Sequence, residues 1–257
     1  MKKSYKIWLL TGLAFTTLLF IFSKINTPYN FESSEEAYSK GLVFLNKNLT
    51  ANAADLDTID GYPVINVDGT VWMIENLNST CYCNGDAIPE VRDEEAWLDL
   101  NEGAWCFYNN DPKMGEKYGK IYNWFTVGDS RGICPCSWRV PSDQEWIDLV
   151  NHFGGKYASI YFLNSDSGWA EENNFRNNSG FSALPGGYRP TSRESQNGID
   201  DFAGLSGAVW WSATEGRGLF DKYIRNKTAW GMDLGSGYAY RANNPWYVGQ
   251  YVRCVKV

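Results

Sequence analysis

The sequence predicts an α+β domain of irregular type, and three observations carry that expectation. Helical periodicity is confined to a few short stretches. Brief β-prone runs recur between turn residues. The connections are long and rich in glycine, which supplies 25 of the 257 residues.

The clearest element begins at Cys134-Pro135-Cys136-Ser137-Trp138-Arg139-Val140-Pro141-Ser142-Asp143-Gln144-Glu145-Trp146. Ser142 suits an N-cap, because its hydroxyl can accept from a first-turn amide. Glu145, three residues on, can reach back to the Ser142 amide and complete a capping box. Pro141 and Trp146 stand where a hydrophobic staple forms. Trp146, Leu149, Val150 and Phe153 repeat at i, i+3, i+4 and i+7, so the spacing predicts about three helical turns with one apolar face. Gly154-Gly155 supplies the stop.

The other elements follow in chain order. Residues 1–24 read as a targeting segment, with Lys2, Lys3 and Lys6 ahead of an uncharged apolar run from Ile7 to Phe22. No small-x-small pattern follows closely, so an uncleaved N-terminal anchor is preferred to a cleaved signal, and the remainder is exported in either case. Residues 25–56 are polar and read as a stalk, with a short helix opening at Ser33. The globular domain is expected over 57–257. Its first signal is Asp68-Gly69 between two β-prone runs, a two-residue hairpin. Helical turns are expected over 93–98 and a second short helix over 156–163. An aromatic strand is expected near 103–108, with further strands at 181–184, 209–212, 230–234 and 251–257. In the last strand Val252 and Cys254 share an inward face.

Composition excludes several classes of function. The net charge is −7, and without the four lysines of the first 24 residues the remainder stands at −11. That balance and the lack of a basic stripe argue against a nucleic-acid partner. His152 is the one histidine, so no site can use two imidazole ligands, and its place in the last helical turn suits a solvent-facing residue favoured by the helix dipole. Nucleophile-elbow, dinucleotide, phosphate-loop and zincin motifs are all missing. No catalytic residue, metal ligand or cofactor is therefore assigned.

Six cysteines behind an export segment read as disulfide candidates: Cys81, Cys83, Cys106, Cys134, Cys136 and Cys254. Neither Cys-x-Cys pair bridges easily within itself. A bond from Cys134 or Cys136 to Cys254 would pin the start of the capped helix to the terminal strand. The Cys81/Cys83 loop would then join either Cys106 or the second cysteine of the Cys-Pro-Cys.

Six ordered stretches carry a family resemblance. They are Val71-Trp72-Met73-Ile74-Glu75-Asn76-Leu77, Tyr118-Gly119-Lys120-Ile121-Tyr122-Asn123-Trp124, the run 134–146, Ser179-Gly180-Phe181-Ser182-Ala183-Leu184-Pro185-Gly186-Gly187-Tyr188-Arg189, Trp210-Trp211-Ser212-Ala213-Thr214-Glu215 and Val252-Arg253-Cys254-Val255-Lys256. Together they resemble the Fibrobacter succinogenes major paralogous domain, found in exported bacterial proteins. That pattern is in turn similar to the C-type-lectin-like and sulfatase-modifying-factor superfamily. The resemblance implies an irregular C-type-lectin-like fold and an extracytoplasmic address. It does not carry over calcium-dependent sugar binding, whose Glu-Pro-Asn, Gln-Pro-Asp and Trp-Asn-Asp motifs are absent. Nor does it carry over formylglycine chemistry, because only Cys254 lies beyond Cys136.

Twelve tryptophans and 16 tyrosines can serve a core of large rings or a surface that stacks on sugars. The candidate ligand-binding residues lie in the C-terminal third: Tyr188, Arg189, Trp230, Tyr240, Asn243, Asn244 and Trp246, with Tyr238 beside them. Rings next to amides and a guanidinium are the mixture that sugar sites use. The expected function is a membrane-tethered, non-catalytic module that recognises a glycan or a cell-surface protein. The alternatives are an enzyme of sulfatase-modifying type or with a carboxylate pair, and a structural envelope component.

Overall fold

The computed structural model describes residues 57–169, 175–190, 202–205, 207–216, 227–235 and 237–257. The N-terminal anchor and the stalk fall outside the described residues.

Three strands open the domain as consecutive antiparallel hairpins: β1 (Asp57–Ile59), β2 (Tyr62–Val67) and β3 (Thr70–Met73). Each turn puts two successive residues at positive φ, Asp60-Gly61 and Asp68-Gly69. That backbone matches the twist of the flanking strands. The sheet continues with β10 (Val255–Lys256) and ends at β6 (Trp138–Arg139), in the order β1-β2-β3-β10-β6. A small ladder joins β4 (Trp105–Cys106) to β5 (Ile121–Tyr122). The third sheet is the antiparallel β7-β8-β9, spanning Val209–Glu215, Thr228–Leu234 and Ala239–Pro245.

Among the described residues five short α-helices accompany these strands: α1 (Glu94–Leu98), α2 (Pro112–Tyr118), α3 (Trp124–Val127), α4 (Asp143–His152) and α5 (Gly155–Leu163). The first four begin at a polar side chain that takes a first-turn amide, from Asp93, Asp111, Asn123 and Ser142 in turn. The expected capping box is present at α4. Ser142 Oγ accepts from the Glu145 amide at 3.3 Å, and the Ser142 amide donates to Glu145 Oε2 at 2.8 Å. Arg139 grips the same carboxylate with two N–H groups at 2.7 Å each. Hydrogen bonds from Arg139 and Ser142 hold Glu145 down at a pKa of about 2.

Most of the aromatic rings among the described residues are core. Trp72, Trp97, Trp146, Trp210 and Trp211 are fully buried, and each such ring is worth at least ~1.5–3 kcal/mol of transfer free energy. Trp146 of α4 tilts over Trp72 of β3 at 4.8 Å and stacks on Trp210 of β7 at 5.7 Å, which joins the helix to two sheets.

Arg253 is the polar hub of this core. Only 1% of the residue is exposed. Its guanidinium donates from Nε to Asn76 Oδ1 at 3.0 Å, to the Phe181 carbonyl, and to the Ser182 carbonyl at 3.1 Å. The Phe181 ring lies 4.1 Å from the guanidinium and that of Trp210 5.1 Å. Trp210 Nε1 also donates to Asn76 Oδ1, at 2.7 Å. With Asn76 Nδ2 donating to the Tyr118 carbonyl, five of the six stretches read in the sequence meet at one pair of side chains.

Two disulfides form, Cys134–Cys254 and Cys83–Cys136. The first ties the approach to α4 to the segment entering β10, as the sequence suggested. Cys81 and Cys106 depart from the expectation and are free thiols. Pairing of β4 with β5 seals Cys106 in the core, where desolvation pushes its thiol up to about 11. Cys81 is exposed beside Ser79, whose Oγ donates to the Cys81 carbonyl at 2.6 Å.

Several elements differ from the sequence reading. Residues 181–184 form no strand, only a single bridge from Asn164 to Ala183, because Ser182 has positive φ and Pro185 follows. The expected last strand shortens to Val255–Lys256, since Gln250 and Tyr251 bridge instead to Tyr122 and Trp210. Helices α2 and α3 stand where the sequence reading assigned no element. Asp111-Pro112, a cap followed by proline at the first helical position, was the signal for α2.

Candidate functional site

The residues singled out in the sequence divide by the pleat of β8 and β9. Trp230 pairs with Asn243, Ala229 with Asn244 and Asp233 with Tyr240. Since strand side chains alternate, Trp230 and Asn243 lie on one face of the sheet and Tyr240 and Asn244 on the other. The seven therefore do not form one site.

On the first face Arg241 lies 4.0 Å over the Trp230 ring. It is held there by Asp143 of α4, to which Arg241 Nε donates at 2.8 Å. Trp246 packs inward: its ring lies 4.4 Å from Trp124, its Nε1 donates to the Thr228 carbonyl at 2.9 Å, and Lys227 covers it at 4.5 Å. Tyr188 is half-buried against the main core. Arg189 requires a correction. It is 1% exposed and donates to the carbonyls of Val91 and Arg92 at 3.0 Å each, with its guanidinium between Trp97 and Phe202. Its donors tie down the loop before α1 and do not face a ligand.

Tyr240 does belong to an open aromatic surface. Tyr157, Tyr161, Tyr238 and Tyr240 are between 38% and 43% exposed, an unusual state for rings in a domain that buries so many others. Tyr157 and Tyr161 are one helical turn apart on α5 and share a face. Tyr238 bridges the two elements, 6.2 Å from Tyr157 and 5.6 Å from Tyr240. Lys156 places its ammonium 4.2 Å over Tyr238 and 5.2 Å over Tyr157.

Under Tyr240 lies Asp233, almost wholly buried, with Oδ1 free of any hydrogen bond. Desolvation pushes this carboxyl up to about 6, and the neighbouring Tyr240 hydroxyl only partly opposes the shift. Burial, and then the Asp233 carboxylate, raise the Tyr240 phenol above its ordinary value. The surface thus offers phenol rings, the Lys156 side chain and the recessed Asp233 carboxyl. The sequence reading missed Lys156, Tyr157 and Tyr161. The i, i+4 tyrosines within the expected second helix were the available signal. Among the described residues no group of His, Cys, Asp or Glu is placed to hold a metal ion.

Residues 65–256 match the sequence profile of the Fibrobacter succinogenes major domain. The chain belongs to this family. The match covers all six stretches read in the sequence and runs from β2 through β10. No curated protein and no solved structure shows significant similarity to the chain. Among the described residues no helix is long and apolar enough to cross a membrane. The two disulfides of this family member are the chemistry of an oxidising, extracytoplasmic environment.

Proposed function

We propose that this domain is an exported, membrane-tethered, non-catalytic module that binds a glycan through the surface formed by Tyr157, Tyr161, Tyr238 and Tyr240. One observation carries the reading: the half-exposed rings of Tyr157, Tyr238 and Tyr240 are in contact where α5 meets the start of β9, with Lys156 over two of them and Tyr161 one turn further along α5. Phenol rings stack on the apolar faces of sugars, while hydroxyls and an ammonium take the sugar oxygens. Support for a C-type-lectin-like relationship comes from the capped helix and the Arg253-Cys254 segment that enters β10, which Cys134–Cys254 holds together. The thiol branch of the catalytic alternative rests on Cys81 alone, because Cys106 is sealed and its thiol is pushed away from the reactive thiolate.

The test is a glycan array followed by calorimetry on the best-bound sugar. The parent chain is expected to bind, and Tyr238→Ala/Tyr240→Ala is expected to lose binding while its circular dichroism stays unchanged. An empty array with capture of a surface protein, or equal binding by the double variant, would overturn the reading.

A further inference from the structure

A cleft of about 360 Å³ opens on the side of the domain where the end of β3 meets the end of α2. Its wall includes Arg253, Lys117, Asn76 and Ser182, with Glu75 and Glu116 also lining it. Arg253 is part of the buried hub, whereas Lys117, Glu75 and Glu116 are exposed.

The charge balance here is unusual. A guanidinium has five N–H donors, and three hydrogen bonds engage those of Arg253, all with neutral oxygens. No carboxylate forms an ion pair with Arg253 or Lys117 among the described residues. Glu75 acts on the guanidinium only at a distance. A buried cation without a counter-ion is costly, and the cost shows: desolvation brings Arg253 down to about 9. Lys117 stays over the ring of its neighbour Tyr118 at 4.7 Å.

We propose that this cleft is a binding site for a small carboxylate, with Lys117 as the direct partner and Arg253 as the fixed positive charge of the wall. A carboxylate supplies the negative charge that the fold withholds from Arg253. The two glutamates disfavour a doubly charged phosphate or sulfate and suit a monoanion whose remaining groups donate hydrogen bonds. This site is independent of the tyrosine surface.

Sugar acids and peptide C-termini both present this group, and the experiment separates them. The full chain is titrated calorimetrically at low salt with sodium glucuronate and with N-acetylglycine, each beside its uncharged methyl ester. At least one acid should bind saturably while its ester does not, and the acid that binds names the source. Lys117→Gln should weaken that binding about tenfold, the usual worth of one hydrogen bond to a charged group. Lys113→Gln, on the same helix outside the cleft, should leave it unchanged. Acid and ester behaving alike, Lys117→Gln binding like the parent, or Lys113→Gln weakening binding equally would each overturn the assignment.

Discussion

Asn76 and Arg253 are 177 residues apart in the chain and 3.0 Å apart in the fold, joined from Arg253 Nε to Asn76 Oδ1. That oxygen also takes the Trp210 indole N–H, and Asn76 Nδ2 donates to the Tyr118 carbonyl at 2.8 Å. One amide therefore serves β7, the end of α2 and the approach to β10. Asn76→Ala strands two buried donors and a carbonyl, and should destabilise the domain by roughly 2–4 kcal/mol. Urea unfolding with an unchanged slope would measure this. A loss below ~1 kcal/mol would show that water or repacking replaces the amide.

The cysteines should separate into three kinds. Native protein treated with a thiol reagent and no reductant is expected to modify Cys81, with Cys106 reacting only after denaturation. Cys134–Cys254 closes 120 residues and Cys83–Cys136 closes 53. In the chain-entropy account, removing the first by a double alanine substitution should cost about 5 kcal/mol and the second somewhat less. Peptide mapping of the labelled protein and paired melting curves test the order.

Two carboxyls should respond to pH with opposite sign. Glu145 is held down at about 2 in the folded chain, so its stabilising contribution is complete above its ordinary value of 4.5 and is lost as pH falls through 2. Glu145→Gln should cost about 1 kcal/mol at pH 7, the usual worth of a helix cap, and nothing near pH 2. Asp233 is pushed up, from 3.8 to about 6. Between those values the folded chain binds the extra proton, so stability falls as pH rises from 3.8 through 6 and stays reduced above. Asp233→Asn should abolish that slope, and melting curves between pH 3 and 8 will show whether it does.

What was legible in the sequence was what neighbouring residues decide between themselves. Ser142 and Glu145 meet within one helical turn, and Asp68-Gly69 determines its own turn, so both appear as expected. Side-chain roles that depend on distant packing were not legible. Arg189 looks like a ligand-binding guanidinium until the carbonyls of Val91 and Arg92, nearly a hundred residues away, claim its donors. Asn243-Asn244-Pro245 has the composition of a turn, yet it continues β9 because Trp230, Ala229 and Thr228 lie opposite. Six cysteines of one type gave no sign of which two would stay reduced. The α+β class was readable from local periodicity and turn residues, and the family from the order of motifs. The site was only half readable, since Tyr240 was visible and its partners on α5 depend on how that helix packs.

Strand β10 lies between β3 and β6, at an inner position of the five-stranded sheet. Val255 is opposite Trp72 on one side and Arg139 on the other. The middle of the sheet is therefore filled by residues synthesised long after the strands they join. Until that segment arrives, Trp72 and Trp138 have no shared ladder and Cys134 has no partner. Such long-range closure is slow relative to local pairing. A chain crossing a membrane from its N-terminus would keep this sheet open and threadable until β10 itself had passed.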